Sequence, residues 1–496
     1  MSRIFGFVRD AMILAYLGTG PLYQAYVVAF RLPNMFRRFF AEGAFNMAFV
    51  PMFSKKVEGD QDADSFASDA FAGLATVLIG LTIVAMVAMP WLIYGLASGF
   101  AGQEQFGLSV EFGRIVFPYI LFISLAALLS GMLNASGRFA AAAAAPVLLN
   151  VLLIAAMTLA ALAGADVARA LIWTIPAAGV AQFVLLWVAV KRAGFSLTIK
   201  RPRLTPEIRN LVRVAIPAAL AGGVVQINLL VGQQVASYFD KAVSWLFAAD
   251  RLYQLPLGVV GIAVGVVLLP DLSRRLKSND EAGAKIALSR AGEIALALTI
   301  PSAVALMIIP LPLVSVLFER GAATAQDSAA IALAVAIYGL GLPAFVLQKI
   351  MQPIYFARED TKRPFHYALV SMVVNAGLAI GLAPVIGWFA PAIATTLAAW
   401  VMVVQLHIGA RTYGDVARFD DRFRKRIWRM VLASAIMGAV LWVTAALLTP
   451  FLGIAWWRAL ALAVLIAIGM ASYFVAGQLF GAFRLSEFKA AMRRSG

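Results

Sequence analysis

The chain of 496 residues contains no cysteine, two histidines, and only 13% charged residues. The absence of cysteine excludes disulfide frameworks and thiolate metal sites. His366 and His407 lie near predicted helix ends and far apart in sequence, which is typical of interfacial side chains rather than metal ligands. G-x-S-x-G, Walker and H-E-x-x-H motifs are also missing, and no loop carries a cluster of acids that could hold a metal for glycosyl or phosphoryl transfer. The sequence therefore indicates neither an enzyme nor an ATPase, and no cofactor is expected.

Apolar residues make up 62% of the chain, whereas soluble domains contain about 45–50%. They recur in continuous runs of about 20 residues, which is the length of a membrane-spanning helix and unlike the alternating segments of a barrel. We predict an all-α membrane protein with about fourteen transmembrane helices. The predicted spans are 2–20, 22–52, 66–97, 110–134, 142–164, 168–190, 207–238, 243–270, 284–317, 327–356, 364–386, 389–410, 426–448 and 456–480.

Two of these spans have unusual features. The first carries Arg3, Arg9 and Asp10 inside its apolar run, which excludes a cleavable signal peptide. The second is long and contains Pro33 beside a charged patch, so we expect a broken or bent helix there.

Basic residues give the chain a formal charge of +16 and concentrate in alternate connections, most densely in 191–213 and 411–429. They do not cluster on one soluble face, so a nucleic-acid partner is not expected. The positive-inside rule places these connections and both termini in the cytoplasm of a bacterium. The expected location is the inner membrane, with anionic lipid head groups as neighbours.

The chain contains an internal repeat. Arg31 is followed by Pro51 at nearly the spacing that separates Arg251 from Pro270, and Pro118 and Asn150 recur as Pro343 and Asn375 with one shared offset. Each half then holds an even number of helices, which predicts a parallel repeat with a substrate site between two six-helix lobes. The predicted divisions are an N-terminal lobe at 1–195, a C-terminal lobe at 196–420, and two additional helices with the tail at 421–496.

Charged and polar residues at membrane depth are the candidate site residues, because a charge at a helix centre is costly and usually faces a cavity. The cations outnumber the acids, which favours an anionic ligand, and arginine suits phosphate because it donates two parallel hydrogen bonds. The candidates are Arg3, Arg9, Asp10, Arg31, Asn34, Arg37, Arg38, Glu42, Asp250, Arg251 and Lys349.

Simpler interpretations stay open for some candidates. Arg3 could extend to the cytoplasmic interface, Lys349 could pack between helices, and Asp10 and Glu42 could be structural partners of arginines. Arg9, Arg37 and Arg251 are the hardest to explain in this way because they lie deepest in their spans.

Several stretches resemble the MurJ (MviN) lipid II flippase family. They are Ser2–Asp10, Val28–Asn34, Arg37–Phe45 and Ala48–Pro51, and later Ala249–Leu252, Pro256, Gly258 and Leu268–Pro270. The resemblance implies the MOP-superfamily fold, with a central cationic cavity and a hydrophobic groove formed by the last two helices. It also implies that cavity residues are found at Ser2, Arg3, Arg9, Asn34, Arg37, Glu42 and Arg251, while Gln24 stands where the family usually has an acid.

The sequence thus predicts a flippase that moves lipid II by alternating access, with Ser2, Asp10, Gln24, Asp250 and Lys349 as further candidate contacts. Spans 11 and 12 contain no acid, so membrane potential is favoured over a sodium gradient as the driving force. One alternative is an exporter of other lipid-linked polysaccharide units in the same superfamily. Another is a membrane-embedded cell-wall glycosyltransferase, and an added role as a scaffold for cell-wall synthesis proteins is compatible with either interpretation.

Overall fold

The computed structural model describes residues 2–37, 44–59, 62–263, 268–454 and 456–483. Within these ranges the chain is helical and contains no strand. The helices are α1 (Ser2–Leu17), α2 (Pro21–Arg37), α3 (Ala44–Glu58), α4 (Ala63–Val87), α5 (Met89–Leu96), α6 (Glu104–Val116), α7 (Tyr119–Ala135), α8 (Ala140–Leu162), α9 (Val167–Arg192), α10 (Pro206–Ala236), α11 (Ala242–Ala263), α12 (Leu269–Lys277), α13 (Glu281–Ile308), α14 (Pro310–Phe318), α15 (Ala325–Phe356), α16 (Lys362–Ile386), α17 (Ala390–Ala410), α18 (Asp421–Leu452) and α19 (Arg458–Leu479).

Nine helical stretches in the described part of the chain are long and apolar enough to cross a membrane. One of them, Lys362–Gly414, contains both α16 and α17. The protein is therefore an all-helical, multi-pass membrane protein. The predicted count of fourteen spans stays a prediction.

Proline explains where several predicted spans divide into two helices. The predicted spans 66–97, 110–134 and 284–317 each divide, and Pro90, Pro118 and Pro310 lie at the divisions. Proline has no N–H to donate to the preceding turn and its ring crowds that turn, so a helix tends to end there. Pro33, in contrast, lies inside α2. The break expected in the second span therefore does not lie at Pro33, and residues 38–43 between α2 and α3 lie outside the described ranges.

Short polar side chains begin many of the longer helices. Asp166, Asp280 and Asp420 each accept a hydrogen bond from a backbone N–H in the first turn of α9, α13 and α18. Thr324 and Asp327 form a reciprocal capping box at the start of α15. Such caps satisfy N–H groups that have no partner within the helix, and they fix the residue at which each helix begins.

The described chain separates by its contacts into two compact units. One contains Met1–Ser244 and Arg320–Ala323, and the other contains Trp245–Glu319 and Thr324–Gly496. In the first unit α1 packs on α8 and α10 packs on α3; in the second, α13 packs on α15 and α18, and α18 packs on α19. These units are defined by contacts, whereas the predicted lobes were defined by the repeat in the sequence. The predicted lobe boundaries therefore stay a prediction.

The segment Arg320–Ala323 joins the first unit through one close backbone contact. The N–H of Ala322 donates to the carbonyl oxygen of Ala15 at the end of α1, at 2.8 Å. Gly321 has a φ of +60°, and a Cβ at this position would lie 2.2 Å from the Ala15 oxygen. Only glycine combines this backbone conformation with this approach.

Candidate functional site

Arg9 is a buried cation with a buried acid beside it. The two neighbouring residues Arg9 and Asp10 on α1 are only 8% and 6% exposed. The Nε and Nη2 atoms of Arg9 both donate to Oδ1 of Asp10, at 2.9 and 2.6 Å. The carboxylate thus occupies the edge of the guanidinium that would otherwise grip a phosphate. Of the two interpretations of Asp10, the described geometry supports that of an arginine partner.

Asn150 on α8 completes this buried group. Its Oδ1 accepts a hydrogen bond of 2.8 Å from Nη1 of Arg9, and its Nδ2 donates to the carbonyl oxygen of Pro146 at 3.1 Å. Sequence reasoning used Asn150 only as a marker of the repeat and did not predict its contact with Arg9. Its position inside an apolar run was the available signal, because a buried amide needs hydrogen-bond partners.

A second set of buried polar side chains lies in the same unit. The hydroxyl of Tyr119 donates to Oε1 of Gln182 at 3.3 Å, and Nε2 of Gln182 donates to the carbonyl oxygen of Ala145 at 2.6 Å. These bonds join α7, α8 and α9. They satisfy polar groups that would be costly to leave unpaired in an apolar interior.

Of the candidates on α2, Arg31 is half-buried, and the other three have different surroundings. The side chain of Gln24 is completely buried, and among the residues that the structure describes its amide oxygen and nitrogen have no hydrogen-bond partner. Nδ2 of Asn34 donates to the carbonyl oxygen of Phe30 at 2.8 Å, so part of this side chain serves the local backbone. Arg37 is the last residue of α2 and is half-buried.

The remaining candidates of the first unit lie at or beyond the limits of the described ranges. Arg3 is exposed on the first turn of α1. Ser2 begins that helix, but its side chain lies outside what the structure describes, as do Arg38 and Glu42.

The second unit contains Asp250, Arg251 and Lys349. The guanidinium carbon of Arg251 lies 4.4 Å from the centre of the Phe247 ring, one turn earlier on α11. Asp250 accepts a short hydrogen bond from Nε2 of Gln254. Arg251 and Asp250 are half-buried, whereas Lys349 on α15 is exposed. Stacking on the ring orients the planar cation of Arg251, which lysine could not match.

A group centred on Glu293 was missed by sequence reasoning. The carboxylate of Glu293 on α13 contacts Arg290 on the same helix and Arg422 and Arg426 on α18. Arg290 also pairs with Asp420 at 2.5 Å. The signal was available in the sequence, since Arg290 and Glu293 stand three residues apart inside a predicted span, yet neither was counted among the membrane-depth charges.

The ranges that the structure describes contain no evident metal site. Within them, no group of three or more His, Asp or Glu side chains could hold a metal ion. The polar groups described above are instead arginines with amide and carboxylate partners.

Comparison with known proteins identifies the family. The family model described as "Lipid II flippase MurJ" matches residues 13–465. A protein from Rhizobium tropici named "Probable lipid II flippase MurJ" is 43% identical over 503 residues, covering 99% of this chain and 94% of the relative. The family resemblance inferred from the sequence motifs is therefore confirmed.

Comparison with solved structures also finds a member of this family. A structure titled "Lipid II flippase MurJ, inward closed conformation" matches with a TM-score of 0.80 and 26% identity, covering 97% of this chain and 96% of that chain. An inward-facing multidrug transporter of the MATE family in the MOP superfamily matches with a TM-score of 0.72 and 16% identity, over 84% of this chain and 95% of that one, and shows the fold alone. The predicted transporter, rather than an enzyme, is confirmed by the family match. The chain belongs to the lipid II flippase MurJ family.

Proposed function

We propose that this protein moves lipid II, the undecaprenyl-diphosphate-linked peptidoglycan precursor, from the cytoplasmic to the periplasmic leaflet of the bacterial inner membrane. The observation that carries the proposal is the family match, which extends from residue 13 to residue 465. A head group with a diphosphate is an anion, and the candidate residues at membrane depth are mainly arginines.

The proposed contacts with the head group are Arg3, Arg9, Asn34, Arg37 and Glu42 of the first unit and Arg251 of the second. For Arg9 the geometry adds a condition. Its Nε and Nη2 donors are occupied by Asp10, so binding a phosphate there requires the diphosphate to displace or share with that carboxylate. Full displacement would leave Asp10 buried and unpaired beside an anion, so sharing of the guanidinium is the proposed arrangement.

The hydrophobic tail is proposed to lie along α18 and α19. These helices follow the predicted repeat, and they form a hairpin that packs against α13. The hydroxyl of Tyr473 on α19 donates to the carbonyl oxygen of Ala297 on α13 at 2.7 Å, which fixes the hairpin to the second unit. An apolar face held in this way could accompany a lipid chain while the head group crosses.

The proposed topology has fourteen spans in a parallel repeat with two additional helices, and both termini in the cytoplasm. The alternation of basic connections supports it. Transport is proposed to proceed by alternating access, in which the substrate must bind one arrangement more tightly than the other to shift their populations. Membrane potential is the proposed driving force.

The test is depletion of the protein in its host, followed by measurement of lipid II in each leaflet. Lipid II should accumulate on the cytoplasmic side, and a plasmid copy of the wild-type chain or of Arg169→Ala should restore flipping. Arg169 serves as a control because it is an exposed cation that pairs with Asp166, which is exposed as well. If another undecaprenyl-linked oligosaccharide accumulated while lipid II crossed normally, the protein would be an exporter of that polysaccharide unit instead.

A further inference from the structure

Asn150 and Arg9 are joined across a long stretch of sequence. Asn150 lies on α8 and Arg9 on α1, and the bond between Nη1 and Oδ1 is 2.8 Å long. Asn150 is 5% exposed and Arg9 is 8% exposed. A charge-assisted hydrogen bond in such surroundings is stronger than one in water and restricts the orientation of both groups.

The orientation of the Asn150 amide is itself fixed. Its nitrogen donates to the carbonyl oxygen of Pro146 one turn earlier on α8, so its oxygen is left to face Arg9. The two helices lie close at this point, since a Cβ at Gly6 would make an ordinary contact of 3.7 Å with Nδ2 of Asn150. The amide is therefore held by its own helix before it contacts the arginine.

Asp10 and Asn150 act differently on the same guanidinium. Asp10 accepts from Nε and Nη2 and supplies a negative charge, whereas Asn150 accepts from Nη1 and supplies none. An amide at this position fixes the direction of the guanidinium and leaves the charge of the Arg9–Asp10 pair unchanged. A second carboxylate would make the group net negative and repel a phosphate.

We propose that Asn150 is a positioning residue that holds Arg9 in the orientation from which it binds the diphosphate of the substrate. The inference rests on the proposed function. It adds a residue from α8 to a set that the sequence placed on α1, α2, α11 and α15, and it assigns to that residue a requirement for a neutral hydrogen-bond acceptor.

A double-mutant cycle between Arg9→Ala and Asn150→Ala tests the proposal, with binding of lipid II and of undecaprenyl diphosphate to the purified full chain in detergent as the readout. Asn150→Ala should weaken binding about three- to tenfold, less than the loss of a direct contact, because Arg9 keeps its charge and loses only the group that orients it. In the Arg9→Ala background the same change should cause no further loss, since its effect passes through Arg9.

Three further variants separate positioning from structural support. Asn150→Asp keeps the size and the acceptor for Arg9 but loses the donor to Pro146 and adds a buried charge, so below its own melting transition it should bind more weakly than Asn150→Ser, which adds no charge. Asn375→Ala removes the repeat-related buried amide of the second unit, where Thr395 is the neighbour, and its effect should add to that of Arg9→Ala.

Several outcomes would overturn the inference. Equal losses from Asn150→Ala in both backgrounds would show that Asn150 acts independently of Arg9. Parent-like binding by Asn150→Asp would show that a neutral acceptor is not required. If the parent chain itself bound neither lipid, the proposed function would fail. If Arg9→Ala bound as tightly as the parent, Arg9 would not contact the diphosphate, and Asn150 could not act through it, but the proposed function would stand.

Discussion

Glu293 on α13 accepts a hydrogen bond of 3.0 Å from Arg426 on α18, and both side chains are largely buried, at 5% and 13% exposure. Arg290 donates to the other carboxylate oxygen, and Arg422 lies 3.6 Å away. One acid therefore joins the hairpin of α18 and α19 to the core of the second unit. Since this hairpin is the proposed site of the lipid tail, the ion pair connects the stability of the fold with the groove.

Glu293→Gln should destabilise the second unit. The substitution keeps the shape of the side chain but leaves three arginines without their shared anion. Removing one partner of a buried pair costs about 3–5 kcal/mol, and the partial exposure of Arg422 places the expected loss at about 2–3 kcal/mol. The measurement is the free energy of unfolding of the purified protein in a lipid–detergent mixture.

Asp271→Asn is the matched control, because Asp271 also contacts two arginines, Arg274 and Arg275, but its side chain is 30% exposed whereas that of Glu293 is 5% exposed. Its loss should stay within about 1 kcal/mol. Equal losses for the two variants would mean that burial does not strengthen the Glu293 group.

Gly321→Ala should loosen the attachment of Arg320–Ala323 to α1. The residue has a positive φ, and the added Cβ would meet the Ala15 oxygen at 2.2 Å. A non-glycine residue in this conformation costs about 1–3 kcal/mol, and the close contact adds to that cost. Gly102→Ala is the control, because Gly102 also has a positive φ but an added methyl group there would meet no described atom within 4 Å. Thermal unfolding should show a larger loss for Gly321→Ala, and equal losses would mean that the contact contributes nothing.

The absence of cysteine allows the proposed topology to be tested directly. Single cysteines in place of the exposed residues Arg201, Arg424 and Glu104 can be treated with a membrane-impermeant thiol reagent in intact cells. Glu104→Cys should react, whereas Arg201→Cys and Arg424→Cys should react only after permeabilisation. Labelling of the latter two in intact cells would reverse the orientation inferred from the basic connections.

The sequence predicted the helical regions well because apolar runs, prolines and capping residues act locally. Each proline at a helix division, such as Pro118, is visible without knowledge of the fold. The partners of buried charges were not predictable in the same way. Arg9 was identified as a buried cation, but its contact with Asn150 depends on how α1 packs on α8, and that packing is not encoded by any local pattern. The same holds for Glu293. Two of its three arginine partners lie on α18, which is distant in sequence from α13.

Arg251 provides the sharpest test of the proposal that the second unit contacts the diphosphate. Its guanidinium lies over the Phe247 ring at 4.4 Å, which orients a planar group able to donate two parallel hydrogen bonds to a phosphate. Arg251→Ala should weaken binding of undecaprenyl diphosphate about ten- to a hundredfold, the equivalent of one lost charge-assisted hydrogen bond. Arg251→Lys keeps the charge but loses the two parallel donors of the guanidinium, so its binding should remain clearly impaired. Phe247→Leu should cause a smaller loss of binding, because the arginine stays in place without the ring beneath it.

Melting temperatures of all three variants should stay near that of the parent, since truncating a desolvated cation also removes its burial penalty. If Arg251→Lys bound the lipid as tightly as the parent, a point charge would suffice and the bidentate interpretation would be wrong. If Arg251→Ala lost binding only together with its melting transition, Arg251 would be a structural residue of α11.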